Sequence, residues 1–185
     1  MDGINKEVGL IKNVLSSTDF DRLCMHFKNH EGLDIAPTDE FGRKLAGDKS
    51  EPILKEFSEL LLPKVREYFG SQTMLPSYSL FAEYSDETIS LHKHKDANAC
   101  TYTLDLVLYQ GDPWALYVDG KPYIAKPNEA ILFMGEDYEH WRETLYNNTG
   151  KIGVVFLQHL KPLCQPTKCP GELQGLVVGW HFGNS

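Results

Sequence analysis

The sequence predicts an α+β, mainly β protein: an antiparallel jelly roll with N-terminal helices packed on one sheet. Three observations lead there. Apolar residues recur at helical spacing only before Gly70. From Tyr78 onward the chain breaks into short segments rich in β-branched and aromatic residues. Turn chemistry separates those segments: Gly111-Asp112-Pro113, Asp119-Gly120, Pro127-Asn128 and Asn147-Asn148-Thr149-Gly150. With 185 residues, one domain over 1–185 is expected, with a helical part over 1–74, a β core over 75–163 and a C-terminal extension over 164–185.

In chain order, "VGLIKNVLSSTDFDRLCMHF" reads as a short strand and then a helix. Ser16, Ser17 or Thr18 can cap that helix, and Asp19 complements its dipole. Phe20, Leu23, Cys24 and Phe27 share one face of it. "DIAPTDEFGRKLAGDKS" is polar and turn-rich and is expected to be a loop. A second helix starts after Ser50, with Pro52 in its first turn and an apolar stripe of Ile53, Leu54, Phe57, Leu60 and Leu61. Pro63 is expected to kink or split it, and Gly70 to end it. The strands follow: "YSLFAEY", "TISLHKHKD", "TYTLDLVLY", "WALYVD", "PYIA", "AILFMG", "HWRETLY", "KIGVVFLQHL" and "LVVGWHF". Asp119-Gly120 suits a tight hairpin. Asn128 suits a position with positive φ.

The formal net charge of −8 argues against a polyanionic partner, because neutralising phosphates needs clustered Lys and Arg. No apolar run is long enough for a membrane span and no secretory leader is visible, so a cytoplasmic protein is expected. Cys24, Cys100, Cys164 and Cys169 are too scattered for a zinc site and read as reduced thiols.

The chemistry concentrates in "LHKHKD". On a strand, alternate side chains share a face, so His92, His94 and Asp96 are expected on one side. Two imidazoles and a carboxylate leave positions open on a metal and suit non-haem Fe(II). With His94 and Asp96 as the local pair, the third ligand must come from another strand. His140, 44 positions after Asp96, is the best placed, with His159 and His181 as the other candidates. His92 is expected near the mouth. Trp114 and Trp141 read first as packing residues, and Trp141, beside His140, can also wall the pocket.

With "FAEYSDETISLHKHKD", then "YTLDLVLY", then "WALYVDGKPYIAKPNEAILFMGEDYEHWRE", the chain resembles the Fe(II)/2-oxoglutarate-dependent oxygenases. The likeness is to their prolyl-4-hydroxylase-like branch, in particular its small bacterial and phage-type members. That resemblance implies a double-stranded β-helix with Fe(II) held by His94, Asp96 and His140. 2-Oxoglutarate and O2 would be co-substrates, and ascorbate is admitted as a further cofactor. It implies that Tyr84, ten positions before His94, contacts 2-oxoglutarate. It also implies a basic residue for the far carboxylate. Lys151, eleven positions after His140, and Arg142 are the two candidates. The retained carboxylate Asp96 implies hydroxylation rather than halogenation, on a peptide, an amino acid or a small metabolite. Two other readings stand beside it. One is a cupin-type metalloenzyme using His92, His94 and His140. The other is a non-enzymatic β-sandwich binding module.

Overall fold

The computed structural model describes residues 5–28, 42–97, 100–148 and 150–161. Among them are ten strands and two helices. In chain order these are β1 (Gly9–Lys12), α1 (Ser17–Lys28), β2 (Arg43–Gly47), α2 (Pro52–Phe69), β3 (Leu75–Tyr84), β4 (Ile89–His94), β5 (Tyr102–Tyr109), β6 (Leu116–Val118), β7 (Lys121–Tyr123), β8 (Glu129–Phe133), β9 (His140–Leu145) and β10 (Ile152–Leu160). They form a six-stranded sheet, β1-β8-β5-β10-β3-β2, facing a four-stranded sheet, β4-β9-β6-β7. Every pairing is antiparallel. The strand expected in "LVVGWHF", together with His181, Cys164 and Cys169, lies outside the described residues. No helix among the described residues is long and apolar enough to cross a membrane.

Both helices cover the outer face of the large sheet. Ser16 caps α1: its Oγ accepts from the Asp19 N–H at 3.1 Å and donates to the Asp19 carboxylate at 2.7 Å. Leu23, Cys24 and Phe27 of α1 and Leu54, Phe57, Leu61, Val65 and Phe69 of α2 pack on Phe81, Leu104, Leu106, Val155 and Leu157. Phe27 stacks on Phe81 with ring centroids 3.9 Å apart. β5 is buried at every position because helices cover one of its faces and the small sheet covers the other, which is why "YTLDLVLY" shows no apolar–polar alternation.

Three local expectations fail, each for a physical reason. Pro63 does not split α2, which runs as one helix from Pro52 to Phe69. Pro63 is exposed, so the Glu59 carbonyl it leaves without an N–H faces water. Leu60 lies off the buried stripe and is 49% exposed. The supposed loop before Ser50 contains β2, an edge strand paired with β3 from Arg43↔Tyr84 to Gly47↔Leu80. Gly70 does end α2, in the left-handed conformation at φ 67°. Asp119 and Gly120 both take positive φ, 50° and 76°, in the β6–β7 hairpin. Asn128 sits at φ 63°, and its amide pairs with the Leu15 backbone in both directions, at 2.9 and 3.0 Å.

His159 on β10 is fully buried, opposite Tyr102 on β5. Burial pushes its imidazole down to about 4, against about 6.5 in an unfolded chain. The unfolded chain therefore binds more protons between those values. The stability that neutral His159 contributes is complete above pH 6.5 and is lost as pH falls through 4, in all on the order of 3 kcal/mol. Denaturant unfolding at pH 7 and pH 4.5 should show this loss. The His159→Phe variant should lose less over the same interval, and equal losses would assign the acid sensitivity elsewhere.

Candidate metal centre

The register of β4 with β9 sets His94 opposite His140. β4 carries an irregularity between Leu91 and His94: Leu91 pairs with Arg142, and His94, three residues on, pairs with His140, two residues back along β9. The extra residue is a bulge, and it turns His94 inward where simple alternation would have put Lys93. His92 and Lys93 are consequently both exposed. The expectation that His92, His94 and Asp96 share one face thus fails at this bulge. His92 stays outside, its ring edge-on to His94 at 5.3 Å.

Asp96 follows the end of β4. Its N–H donates to the Gly135 carbonyl at 2.9 Å, which fastens it to the turn after β8. Its Oδ1 lies 3.8 Å from His94 Nε2 and 3.5 Å from His140 Nε2. One ligand atom from each of the three residues falls within 4.8 Å of the others. Ligand bonds of about 2.1 Å separate neighbouring ligands by about 3.0–3.4 Å, so the two carboxylate–imidazole pairs need a few tenths of an ångström of side-chain movement to close onto one ion, and the widest pair more than an ångström. His94 Nδ1 lies 2.8 Å from the His92 carbonyl, and His140 Nδ1 lies 3.1 Å from the Tyr138 carbonyl. A carbonyl only accepts, so each Nδ1 carries the proton and each Nε2 presents a lone pair inward. Burial, and next the neighbouring His140, lower the His94 pKa, which favours the neutral ligand form. Burial pushes the Asp96 carboxyl up, but His140, Thr103 and His94 outweigh it and hold it below its ordinary value.

Deeper in the same interior lies Arg142, two residues after His140 on the same face of β9 and 4% exposed. Its Nη2 donates to Asp105 Oδ2 at 2.9 Å and its Nη1 to the Trp114 carbonyl at 2.7 Å, and its guanidinium lies 5.1 Å from the Trp114 ring centroid. Tyr84 meets Trp114 edge-on at 4.9 Å. Of the buried atoms without a hydrogen-bond partner among the described residues, three lie here: Arg142 Nε, the Tyr84 hydroxyl and Asp105 Oδ1. Burial pushes the Tyr84 phenol up, with the Arg142 and Arg43 charges opposing. Burial likewise raises the Asp105 carboxyl against the pull of Arg142.

The remaining sequence candidates lie elsewhere. Lys151 is 65% exposed and pairs with Glu83 at 3.0 Å. Glu83 also accepts from the Tyr109 hydroxyl, on the helix side of the large sheet. Tyr84 and Ile152 face the interior instead. His159 lies on β10 among the helix-side core. Trp141 does not wall the pocket: it stacks on Tyr117 at 5.1 Å on the outer face of the small sheet, under Lys93.

Thr103, Asp105, Gln158 and Gly135 escaped the sequence reading. Asp105 carried a signal, since a carboxylate within a wholly apolar strand needs a partner. Gly135 closes the "AILFMG" strand, and a Cβ there would overlap Asp96 Oδ2 and come within 2.6 Å of Thr103 Oγ1. Gly135→Ala should therefore displace Asp96 and weaken Co(II) binding by at least about tenfold. Calorimetric titration of a variant with wild-type circular dichroism checks this, and undiminished affinity would refute it.

No family model matches the sequence, and no curated protein is similar to it in sequence. Solved structures are similar in fold. HygX from Streptomyces hygroscopicus, with nickel, 2-oxoglutarate and hygromycin B bound, has TM-score 0.67 at 12% identity, over 85% of this chain and 84% of that one. A Pseudomonas putida prolyl-4-hydroxylase has TM-score 0.63 at 12% identity, over 85% and 94%. A Trichoplax adhaerens prolyl hydroxylase, in complex with a hypoxia inducible factor peptide fragment, has TM-score 0.57 at 14% identity, over 86% and 84%. The chain has the double-stranded β-helix fold of the 2-oxoglutarate- and Fe(II)-dependent oxygenases.

Proposed function

We propose that the protein is an Fe(II)- and 2-oxoglutarate-dependent oxygenase, acting in the cytoplasm to hydroxylate a C–H bond of a peptide, an amino acid or a small metabolite. One observation carries the reading: His94, Asp96 and His140 converge within 4.8 Å, both Nε2 atoms facing inward, inside this fold. The donor set fits the ion, because two neutral imidazoles and one carboxylate suit Fe(II) and leave positions free on it. When bound, Fe(II) with 2-oxoglutarate supplies O2 activation, releasing succinate and CO2.

The chain's own residues bind, orient and exclude water. Carbonyls behind each imidazole fix the rings before any ligand arrives. Arg142 Nε and the Tyr84 hydroxyl, both buried and lacking partners among the described residues, would donate to the far carboxylate of 2-oxoglutarate. Arg142 is favoured over Lys151 because it shares the interior with His140, whereas Lys151 is exposed and tied to Glu83. Trp114 and Ile152 line that end with apolar surface. The substrate classes have parallels in the fold, since HygX was solved with hygromycin B and the Trichoplax enzyme with a peptide. The free, buried thiols of Cys24 and Cys100 suit a reducing compartment.

Anaerobic Fe(II) with 2-oxoglutarate should give a weak visible charge-transfer band, and succinate should accumulate in air when a substrate pool is supplied. Asp96→Ala should abolish both, and full turnover in that variant would sink the proposal. Arg142→Lys keeps the charge beside Asp105 but loses the planar fork, and should raise the 2-oxoglutarate requirement about tenfold or more. Lys151→Ala should leave that requirement unchanged, and the reverse pattern would assign the carboxylate to Lys151.

A further inference from the structure

Asp96 offers its two oxygens to different surroundings. Oδ1 faces both histidine Nε2 atoms. Oδ2 faces the large sheet, where the Thr103 hydroxyl on β5 lies 2.9 Å away. The Gly135 backbone closes that side so tightly that even a methyl group would strike Oδ2. Behind Thr103, on the neighbouring strand β10, the Gln158 amide approaches the same hydroxyl to 2.8 Å through the atom assigned as Oε1. Thr103 and Gln158 are both buried.

A threonine hydroxyl has one proton. An ionised carboxylate accepts only, so the proton belongs to Asp96 Oδ2. If the hydroxyl donated to Gln158 instead, its lone pairs would confront a carboxylate oxygen at 2.9 Å. The Gln158 atom facing Thr103 must therefore be a donor, the amide nitrogen, since oxygen and nitrogen of a side-chain amide exchange by a half-turn. The result is a directed chain: Gln158 donates to Thr103, and Thr103 donates to Asp96.

We propose that Thr103 and Gln158 are positioning residues that hold Asp96 as a one-oxygen ligand and so keep three coordination positions free for co-substrate and O2. The inference rests on the metal-centre reading above. A carboxylate released from Thr103 can turn about its Cβ–Cγ bond and present both oxygens to the ion, which removes one open position. A two-point chelating co-substrate then has to compete with a protein oxygen. The expected signature is a loss of co-substrate affinity larger than any loss of metal affinity.

Anaerobic Co(II)-loaded protein tests this without turnover. Visible Co(II) absorption reports coordination, and titration with 2-oxoglutarate reports the open positions. Thr103→Val keeps the shape and removes the hydroxyl. It should alter the Co(II) spectrum and weaken 2-oxoglutarate binding about tenfold or more while Co(II) is retained. Thr103→Ser restores the hydroxyl and should match wild type on both counts. Gln158→Met should shift affinity in the same direction as Thr103→Val, and it decides the matter if Thr103→Val does not fold. A folded Thr103→Val with wild-type spectrum and affinity overturns the proposal, as does Thr103→Ser behaving like Thr103→Val. If wild type binds no Co(II), the metal-centre reading falls and this inference with it. If wild type binds Co(II) and 2-oxoglutarate but the variants are unchanged, this inference alone falls.

Discussion

Antiparallel pairing of β4 with β9 places His94 across from His140, and the rest of the interior is arranged around that register. A slip of one residue would carry both the histidine and Arg142 to the outer face, because side chains alternate along a strand. The bulge in β4 works against a uniform ladder and is retained next to the site, where it re-aims one side chain. Asp96 is secured by a different element, the carbonyl of Gly135 beyond β8. Three backbone segments therefore hold the three candidate ligand side chains, and each side chain has a second contact of its own. The cluster is ordered by the sheets before any ion arrives.

Polar groups inside a sandwich are expensive unless paired, and here the pairing divides into two sets. Around Asp96 the bonds run through Thr103 to Gln158, across neighbouring strands of the large sheet. Around Arg142 they run to Asp105 and to the Trp114 carbonyl, joining the two sheets. A buried ion pair adds little net stability, since desolvation offsets most of its Coulomb attraction. Three of the atoms left without partners among the described residues, Arg142 Nε, Tyr84 Oη and Asp105 Oδ1, lie together at the end of the interior where a charged ligand is proposed. Leaving them unsatisfied is costly for a structural core and reasonable for a binding pocket.

The sequence made the alternation of strands legible from Tyr78 onward because turn residues punctuate it and β-branched residues fill it. It also made His94, Asp96 and His140 stand out as a set, although their convergence depends on a long-range register that no local pattern encodes. The misreadings share a cause. His92 was expected on the same face as His94 because a bulge is invisible to a strict period of two. Pro63 looked like a break because its exposure was unknown, and β2 looked like a loop because an edge strand can be short and polar. Thr103 and Gln158 were hidden for another reason: each is unremarkable alone and acquires its role only from a neighbour on an adjacent strand.

The contrast between Lys151 and Arg142 turns on side-chain parity. At the start of β10 the inward position is Ile152, opposite Tyr84, and the cation one residue earlier points to Glu83 on the other face. An anion entering the interior at that level meets hydrocarbon from β10. A buried inward guanidinium comes instead from β9, on the strand that carries His140. On the proposed reading, the metal ligand and the carboxylate anchor are next-nearest neighbours on one strand, with Cα atoms about 7 Å apart. Neither can move along the sheet without the other. The Trp114 carbonyl and Asp105 remove the remaining freedom of the guanidinium. On that reading the strand sets the distance between the two ends of a dicarboxylate by backbone geometry rather than by a flexible lysine.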